Sequence, residues 1–185
     1  MRNLLYLLLL CVLASCKTPE ARRPVSQNSG SYIDASIARN KKLNKAEESA
    51  ILKEIKNNPE QEYIASADGF WYTYDTKEKD SIDKSFPQVG DVVTFTYDIQ
   101  SIAGEEIVSK KELGTQTYQI DQSNQELMPG LRAGIKLMRE GETVTFLFPS
   151  HKAFGYYGYE NKIGMNRPIK STVTLQSITL KTEQE

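Results

Sequence analysis

Residues 127–155 read LMPGLRAGIKLMREGETVTFLFPSHKAFG. Pro129 and Gly130 fall where a loop turns into a helix. Proline suits a first helical turn, where its missing N–H is not needed. Leu131, Ile135 and Met138 follow at i, i+4 and i+7, one apolar face of a short helix. Gly141, just past Lys136 and Arg139, predicts where that helix stops. Val144, Phe146 and Phe148 then alternate with Thr143, Thr145 and Leu147, the pattern of a strand with one buried face. Pro149 and Gly155 bracket a loop.

Working outward, the stretch Phe70-Trp71-Tyr72-Thr73-Tyr74 has strand composition and follows a turn at Ala67-Asp68-Gly69. Asp75 to Lys84 is charged and polar, a surface connection. After a turn at Gly90-Asp91, Val93, Phe95, Tyr97 and Ile99 alternate with Thr94, Thr96 and Asp98, which predicts one half-buried strand. Ile107-Val108 begins a further short strand, and Tyr118-Gln119-Ile120 is another. Past Gly155 a loop rich in tyrosine closes at Pro168. A last strand carries Val173, Leu175, Ile178 and Leu180. Its spacing slips phase between Leu175 and Ile178, which calls for a bulge or for a strand covered on both sides. Short strands joined by turns, with one short helix to cover a face, make an α+β domain over residues 67–182.

The central stretch resembles the core of the FKBP-type peptidyl-prolyl isomerases. Their pattern runs V-I-P-G-W/L-x-x-G-x-x-x-M-x-x-G, then a strand, then an A-Y-G loop. Leu127, Met128, Pro129, Gly130, Leu131, Gly134, Met138, Gly141 and Ala153-Phe154-Gly155 stand at matching spacings. The Gly90–Tyr97 interval matches the family strand that ends in a pocket tyrosine. The resemblance covers about residues 86–181. It implies an FKBP-like curved antiparallel β-sheet wrapped around the short helix, with an N-terminal helical extension. It also implies prolyl isomerase activity, without a cofactor, on proline-containing protein clients.

Carried over residue by residue, the resemblance makes Tyr97 the pocket tyrosine and Met128 the residue whose backbone N–H meets a substrate carbonyl. Phe154 falls at the tyrosine whose hydroxyl bonds the ligand. Ile107, Val108, Tyr118, Leu127, Leu131, Ile163 and Ser171 fall around the bound proline. Three residues depart from the pattern. Val108 replaces an aspartate, Phe154 loses a hydroxyl, and Ser171 stands where a phenylalanine lines the pocket. On this view Phe154→Tyr should raise catalytic efficiency a few-fold.

The N-terminus carries a different signal. Arg2 precedes an apolar run from Leu4 to Leu13. That is the form of a secretory signal, and the run is shorter than the roughly 20 residues a membrane span needs. Its ending, Leu13-Ala14-Ser15-Cys16, resembles the bacterial lipobox. That resemblance implies a signal peptide over 1–15 and a lipid on Cys16, with the chain anchored at a membrane of the cell envelope and its domain facing the periplasm. Residues 16–35 are polar enough to form a flexible tether.

With Cys11 removed and Cys16 lipidated, no thiol is left for a disulfide, a metal site or a nucleophile. Loss of one arginine leaves 22 basic against 24 acidic residues, no electrostatic footprint for nucleic acid. From Ser36 to Asn57 the chain has no Gly or Pro, and Asn44 with Glu47 has the form of a capping box. A helix over 36–57 follows, inside an extension of 36–66. Its thin apolar stripe leaves three roles open: packing on the domain, pairing with another copy as a homodimer, or spacing alone.

Other chemistry finds little support. His151 is the one histidine, so no His/Cys metal set exists, and no G-x-S-x-G elbow supports a serine nucleophile. Prolyl isomerisation needs neither. An isomerase of the cell envelope is the first function expected; an FKBP-like binding module without turnover is the second. The lipobox, the leading helix, the FWY strand near residue 70 and the FGYYG loop together also look like the gliding-motility-associated FKBP-type lipoproteins, which implies a place near a gliding or secretion machinery.

Overall fold

Ala, Lys, Glu and Leu are strong helix formers, and they crowd the segment that precedes the sheet. In a computed structural model, which describes residues 30–77, 85–122 and 127–181, this segment forms helix α1, Gly30–Asn57. The signal peptide, the lipobox and Cys16 lie outside the described residues. So does most of the polar connection before Phe86.

Helix α1 begins at Gly30 rather than Ser36. Asn44 and Glu47 therefore lie in its interior and form no capping box. The chain divides into two compact units, 1–38 and 39–185. In the first, Tyr32, Ile33 and Ile37 are exposed. In the second, Ile51 of α1 is fully buried and Glu47 is only 5% exposed. The Glu47 carboxylate accepts hydrogen bonds from the Ser150 N–H and the Ser150 hydroxyl, both at 2.7 Å. This part of α1 packs on the domain instead of standing free in solvent.

Among the described residues, eight strands form one sheet. They are β1 (Ile64–Ala65), β2 (Trp71–Thr76), β3 (Val92–Tyr97), β4 (Ile99–Ser101), β5 (Glu106–Val108), β6 (Gln116–Gln119), β7 (Thr143–Phe148) and β8 (Ile169–Thr179). The order is β1-β2-β7-β8-β3-β6, with β4 paired to β5 and β8. All pairings are antiparallel. The described residues of the domain also form the short helices α2 (Lys110–Leu113) and α3 (Pro129–Ile135). The architecture is α+β, as the alternation of short strands and turns predicts.

The core lies between α3 and the face of β7 that carries Phe146 and Phe148, whose rings stack at 5.3 Å. Phe70 meets both edge-on, at 5.8 and 5.3 Å. The helix approaches this face so closely that a Cβ on Gly130 would collide with the Phe148 ring and stand 2.8 Å from the Lys152 carbonyl. Only glycine fits there.

Three local expectations change, and a fourth is decided between its alternatives. Helix α3 ends at Ile135, not near Gly141. Its last turn tightens through Leu137 N–H to Gly134 O and Met138 N–H to Ile135 O, and the Tyr74 hydroxyl holds the Leu137 carbonyl at 2.8 Å. Strand β7 is buried on both faces rather than one, because it is central; Thr145 is 3% exposed and Leu147 fully buried. The strand expected from Val93 to Ile99 breaks at Asp98. There the Asp98 carboxylate takes the Thr172 N–H and its carbonyl takes the Ser171 hydroxyl, both at 2.7 Å. In β8, Thr94 pairs with Ser177 but Phe95 with Leu175, so Gln176 is an extra residue. The slip in its pattern is a bulge.

Candidate functional site

Alternation along β3 turns Val93, Phe95 and Tyr97 inward. Tyr97, at the end of the strand, lines a cleft of about 390 Å³ with Glu112, Leu113, Gln116, Thr117, Tyr118, Leu127 and Tyr159. Strand β6 supplies Gln116 to Tyr118 because it pairs with β3, Tyr118 lying opposite Val93. Ser109 caps α2, its hydroxyl accepting from the Glu112 N–H, and so sets Glu112 and Leu113 on the rim.

A second cleft adjoins the first. It is lined by Ile107, Lys162, Ile163, Arg167, Pro168 and Ile169, among others. Lys162 belongs to one cleft and Glu112 to the other, and the two form an ion pair. This pair therefore stands at the border between them. It raises the Lys162 pKa, chiefly through the hydrogen bond to Glu112.

Of the expected site residues, Tyr97, Tyr118 and Leu127 line the first cleft and Ile107 and Ile163 the second, while Val108, Met128, Leu131 and Phe154 line neither. Tyr97, Val108, Tyr118, Met128, Leu131 and Ile163 are buried in the core, and Ile107, Leu127 and Phe154 pack against it. Met128 is the N-cap of α3 and its carbonyl accepts the Arg132 N–H. Its own N–H makes no hydrogen bond with a described residue. Leu131 has no exposed surface and lies beneath the site. Val108 is buried beside Ile99 across the β4–β5 pair, an environment that would leave a carboxylate without water. Ser171 is drawn away: fully buried, it is committed to the Asp98 carbonyl and lines neither cleft.

The first cleft mixes polar and apolar groups, with Glu112, Gln116, Thr117 and three tyrosines beside Leu113 and Leu127. Burial pushes the Tyr97 pKa up to about 12, with the Tyr159 phenol adding to the effect. Tyr97 is thus a neutral donor at physiological pH. The Tyr118 hydroxyl is buried with no hydrogen-bond partner among the described residues. Both tyrosines line the cleft, and the buried Tyr118 hydroxyl costs free energy until it is paired.

Glu112, Leu113, Gln116, Thr117 and Tyr159 line the first cleft without having been singled out in the sequence, and Tyr159 is the aromatic one. As a member of a tyrosine-rich loop it looks like its exposed neighbours Tyr156 and Tyr157. The glycine before it, Gly158, was the available signal. Its φ is +68°, and a Cβ there would collide with the Ile163 carbonyl.

A family model described as FKBP-type peptidyl-prolyl cis-trans isomerase matches residues 83–176, just over half of the chain. The chain is 32% identical over 138 residues to a protein of Neisseria meningitidis serogroup B described as a probable FKBP-type peptidyl-prolyl cis-trans isomerase, FkpA. That match takes in 74% of this chain and 47% of the relative, so the chain spans about half the length of the relative. Among solved structures, a peptidyl-prolyl cis-trans isomerase from Pseudomonas syringae aligns with a TM-score of 0.58 at 19% identity, over 76% of this chain and 96% of that one. FkpA from Escherichia coli aligns with a TM-score of 0.57 at 20% identity, over 97% of this chain and 82% of that one. At these identities the two structures speak to the fold.

Proposed function

The chain belongs to the FKBP-type peptidyl-prolyl cis-trans isomerase family, and from that premise we propose that its cleft interconverts X–Pro bonds in client proteins. The supporting observation is the cleft itself: Tyr97, Tyr118, Leu127 and Tyr159 line a recess over a core of Met128 and Leu131. The barrier to prolyl isomerisation is about 18–20 kcal/mol, because amide resonance must be broken. Water stabilises the planar, charge-separated amide. A recess that strips water from the imide carbonyl favours the twisted amide instead. No covalent bond to the protein forms. The Met128 N–H, which has no hydrogen-bond partner among the described residues, would hold a peptide carbonyl and fix its direction.

The test is a proline-switching assay on the domain with short X-Pro peptides. Catalysed exchange that Tyr97→Ala abolishes, at unchanged fold, is the expected result. Peptide binding without turnover would support the second reading, a non-catalytic FKBP-like module in an envelope assembly. Val108 and Phe154 favour that second reading, since neither brings a polar group to the site.

The finer placement rests on sequence features. Leu13-Ala14-Ser15-Cys16 supports lipid anchoring in the cell envelope with the domain facing the periplasm. Cys16→Ser should abolish fatty-acid labelling and membrane retention; labelling that persists overturns the anchor. The likeness to gliding-associated lipoproteins supports clients in a gliding or secretion machinery, which capture of envelope proteins by the full chain would test. Pairing of two copies through α1 is supported by its exposed Leu52, and sedimentation of the full chain decides it.

A further inference from the structure

Phe154 presents a ring without a hydroxyl, and the aromatic side chain packed on that ring is Tyr159. Their centroids lie 4.8 Å apart, with the planes tilted by 37°. Three tyrosines line the cleft, and they are not equivalent. Tyr97 and Tyr118 are 9% and 6% exposed. Tyr159 lines the same cleft but is only half-buried, so it remains reachable from solvent.

The backbone of Tyr159 is held in place. Its N–H donates to the Ile163 carbonyl at 3.0 Å, and the Ile163 N–H donates back to the Tyr159 carbonyl at 3.1 Å. The two residues form an isolated antiparallel bridge. On the other side the Gly158 N–H is bonded to the Phe154 carbonyl at 3.2 Å. The left-handed Gly158 admits no side chain, because of the Ile163 carbonyl above it. The loop backbone at Tyr159 is thus fixed, and the ring packs against Phe154 and lines one cleft with Tyr97. The share that Tyr159 takes in raising the Tyr97 pKa fits this proximity.

We propose that Tyr159 is a substrate-contacting residue, its hydroxyl donating a hydrogen bond to a carbonyl oxygen of the bound prolyl peptide beside the bare Phe154 ring. The inference rests on the prolyl-peptide reading above and names a donor for it. A pre-positioned donor loses little entropy on binding. In a cleft short of water it is worth more than at the surface. If the bond tightens as the amide twists, it acts on the rate rather than on ground-state binding alone. The gain expected of Phe154→Tyr then shrinks, because the peptide already has its donor.

The experiment uses the full chain and a proline-switching tetrapeptide, with kcat/KM, peptide Kd and Tm measured together. Tyr159→Phe keeps the ring and removes the hydroxyl. It should lower kcat/KM about fivefold, the worth of one hydrogen bond of ~1 kcal/mol, at unchanged Tm. Phe154→Tyr should change the wild type by less than about twofold, yet restore most of the loss in the Tyr159→Phe background. A merely structural tyrosine would not show that rescue. If Tyr159→Phe equals an active wild type in both kcat/KM and Kd, the proposal is overturned and the isomerase reading stands. If the wild type binds the peptide without turnover, and Tyr159→Phe weakens binding several-fold, the contact stands and the isomerase reading falls. A wild type that neither binds nor turns over the peptide removes both.

Discussion

Leu131 and Ser171 show how differently two residues assigned to one site can serve it. Leu131 has no exposed surface and packs within the cluster beneath the cleft. Leu131→Ala should cost about 2–5 kcal/mol, the range for a buried leucine truncated in a packed core. The check is the urea midpoint, with activity falling in step with the folded fraction. Ser171 is equally buried, but its hydroxyl closes the gap at Asp98 where β3 gives way to β4. Ser171→Ala should cost about 1–3 kcal/mol by leaving the Asp98 carbonyl without that donor, while kcat/KM per folded molecule stays constant. Ser171→Phe should destabilise further by overpacking, rather than rebuild a pocket wall.

Helix α1 matters to the domain through two residues. Ile51 is fully buried, which is worth about 1.5–3 kcal/mol for a side chain of its size. Glu47 satisfies both the N–H and the hydroxyl of Ser150, which opens the 3-10 turn Ser150–Lys152 leading into Phe154. A chain beginning at Ala65 loses both contacts. It should unfold at clearly lower denaturant than one beginning at Gly30, and an equal midpoint would show that α1 adds nothing. Glu47→Ala should cost about 1.5–3 kcal/mol, the scale of hydrogen bonds to a charged acceptor. Because the Ser150 turn precedes the site loop, that variant should also lower activity per folded molecule. An activity that tracks folded fraction alone would confine Glu47 to stability.

Across the whole molecule, three tyrosines from separate strands and loops make stability depend on alkaline pH. Tyr63, Tyr74 and Tyr97 are each pushed up to about 12 from an ordinary 10.0, mainly by burial. Asp75 and Glu54 add to the effect at Tyr63, Glu142 and Tyr72 at Tyr74, and Tyr159 at Tyr97. Between the two values the unfolded chain releases these protons and the folded chain keeps them. Stability is therefore fully present below about pH 10 and is lost as pH rises through about 12. Unfolding followed at pH 8, 10 and 11 should show this slope, and Tyr97→Phe should flatten part of it. A slope unchanged by Tyr97→Phe would mean that Tyr97 titrates like a free phenol. Catalysis at neutral pH should not depend on Tyr97 ionisation, since its phenol stays protonated there.

What the sequence determined by itself was set by neighbours along the chain. Period two places Val93, Phe95 and Tyr97 on one face, and Pro129-Gly130 opens α3, because pleat and helical turn are properties of a few consecutive residues. The order of apolar segments and the spacing of Leu127, Met128 and Leu131 were legible for the same reason. So was the slip in β8, since an extra residue must break a period of two. What the tertiary structure decided depended on partners far away in sequence. Glu47 reads as a helix cap until it meets Ser150, 103 residues later. Asp98 reads as the outward residue of one long strand until Ser171 and Thr172 claim it. Thr145 and Leu147 read as a solvent face until β2 and β8 make β7 central. Tyr159 reads as one loop aromatic among several until its bridge to Ile163 turns the ring against Phe154. In each case the deciding free energy is a contact between segments that only the closed fold brings together.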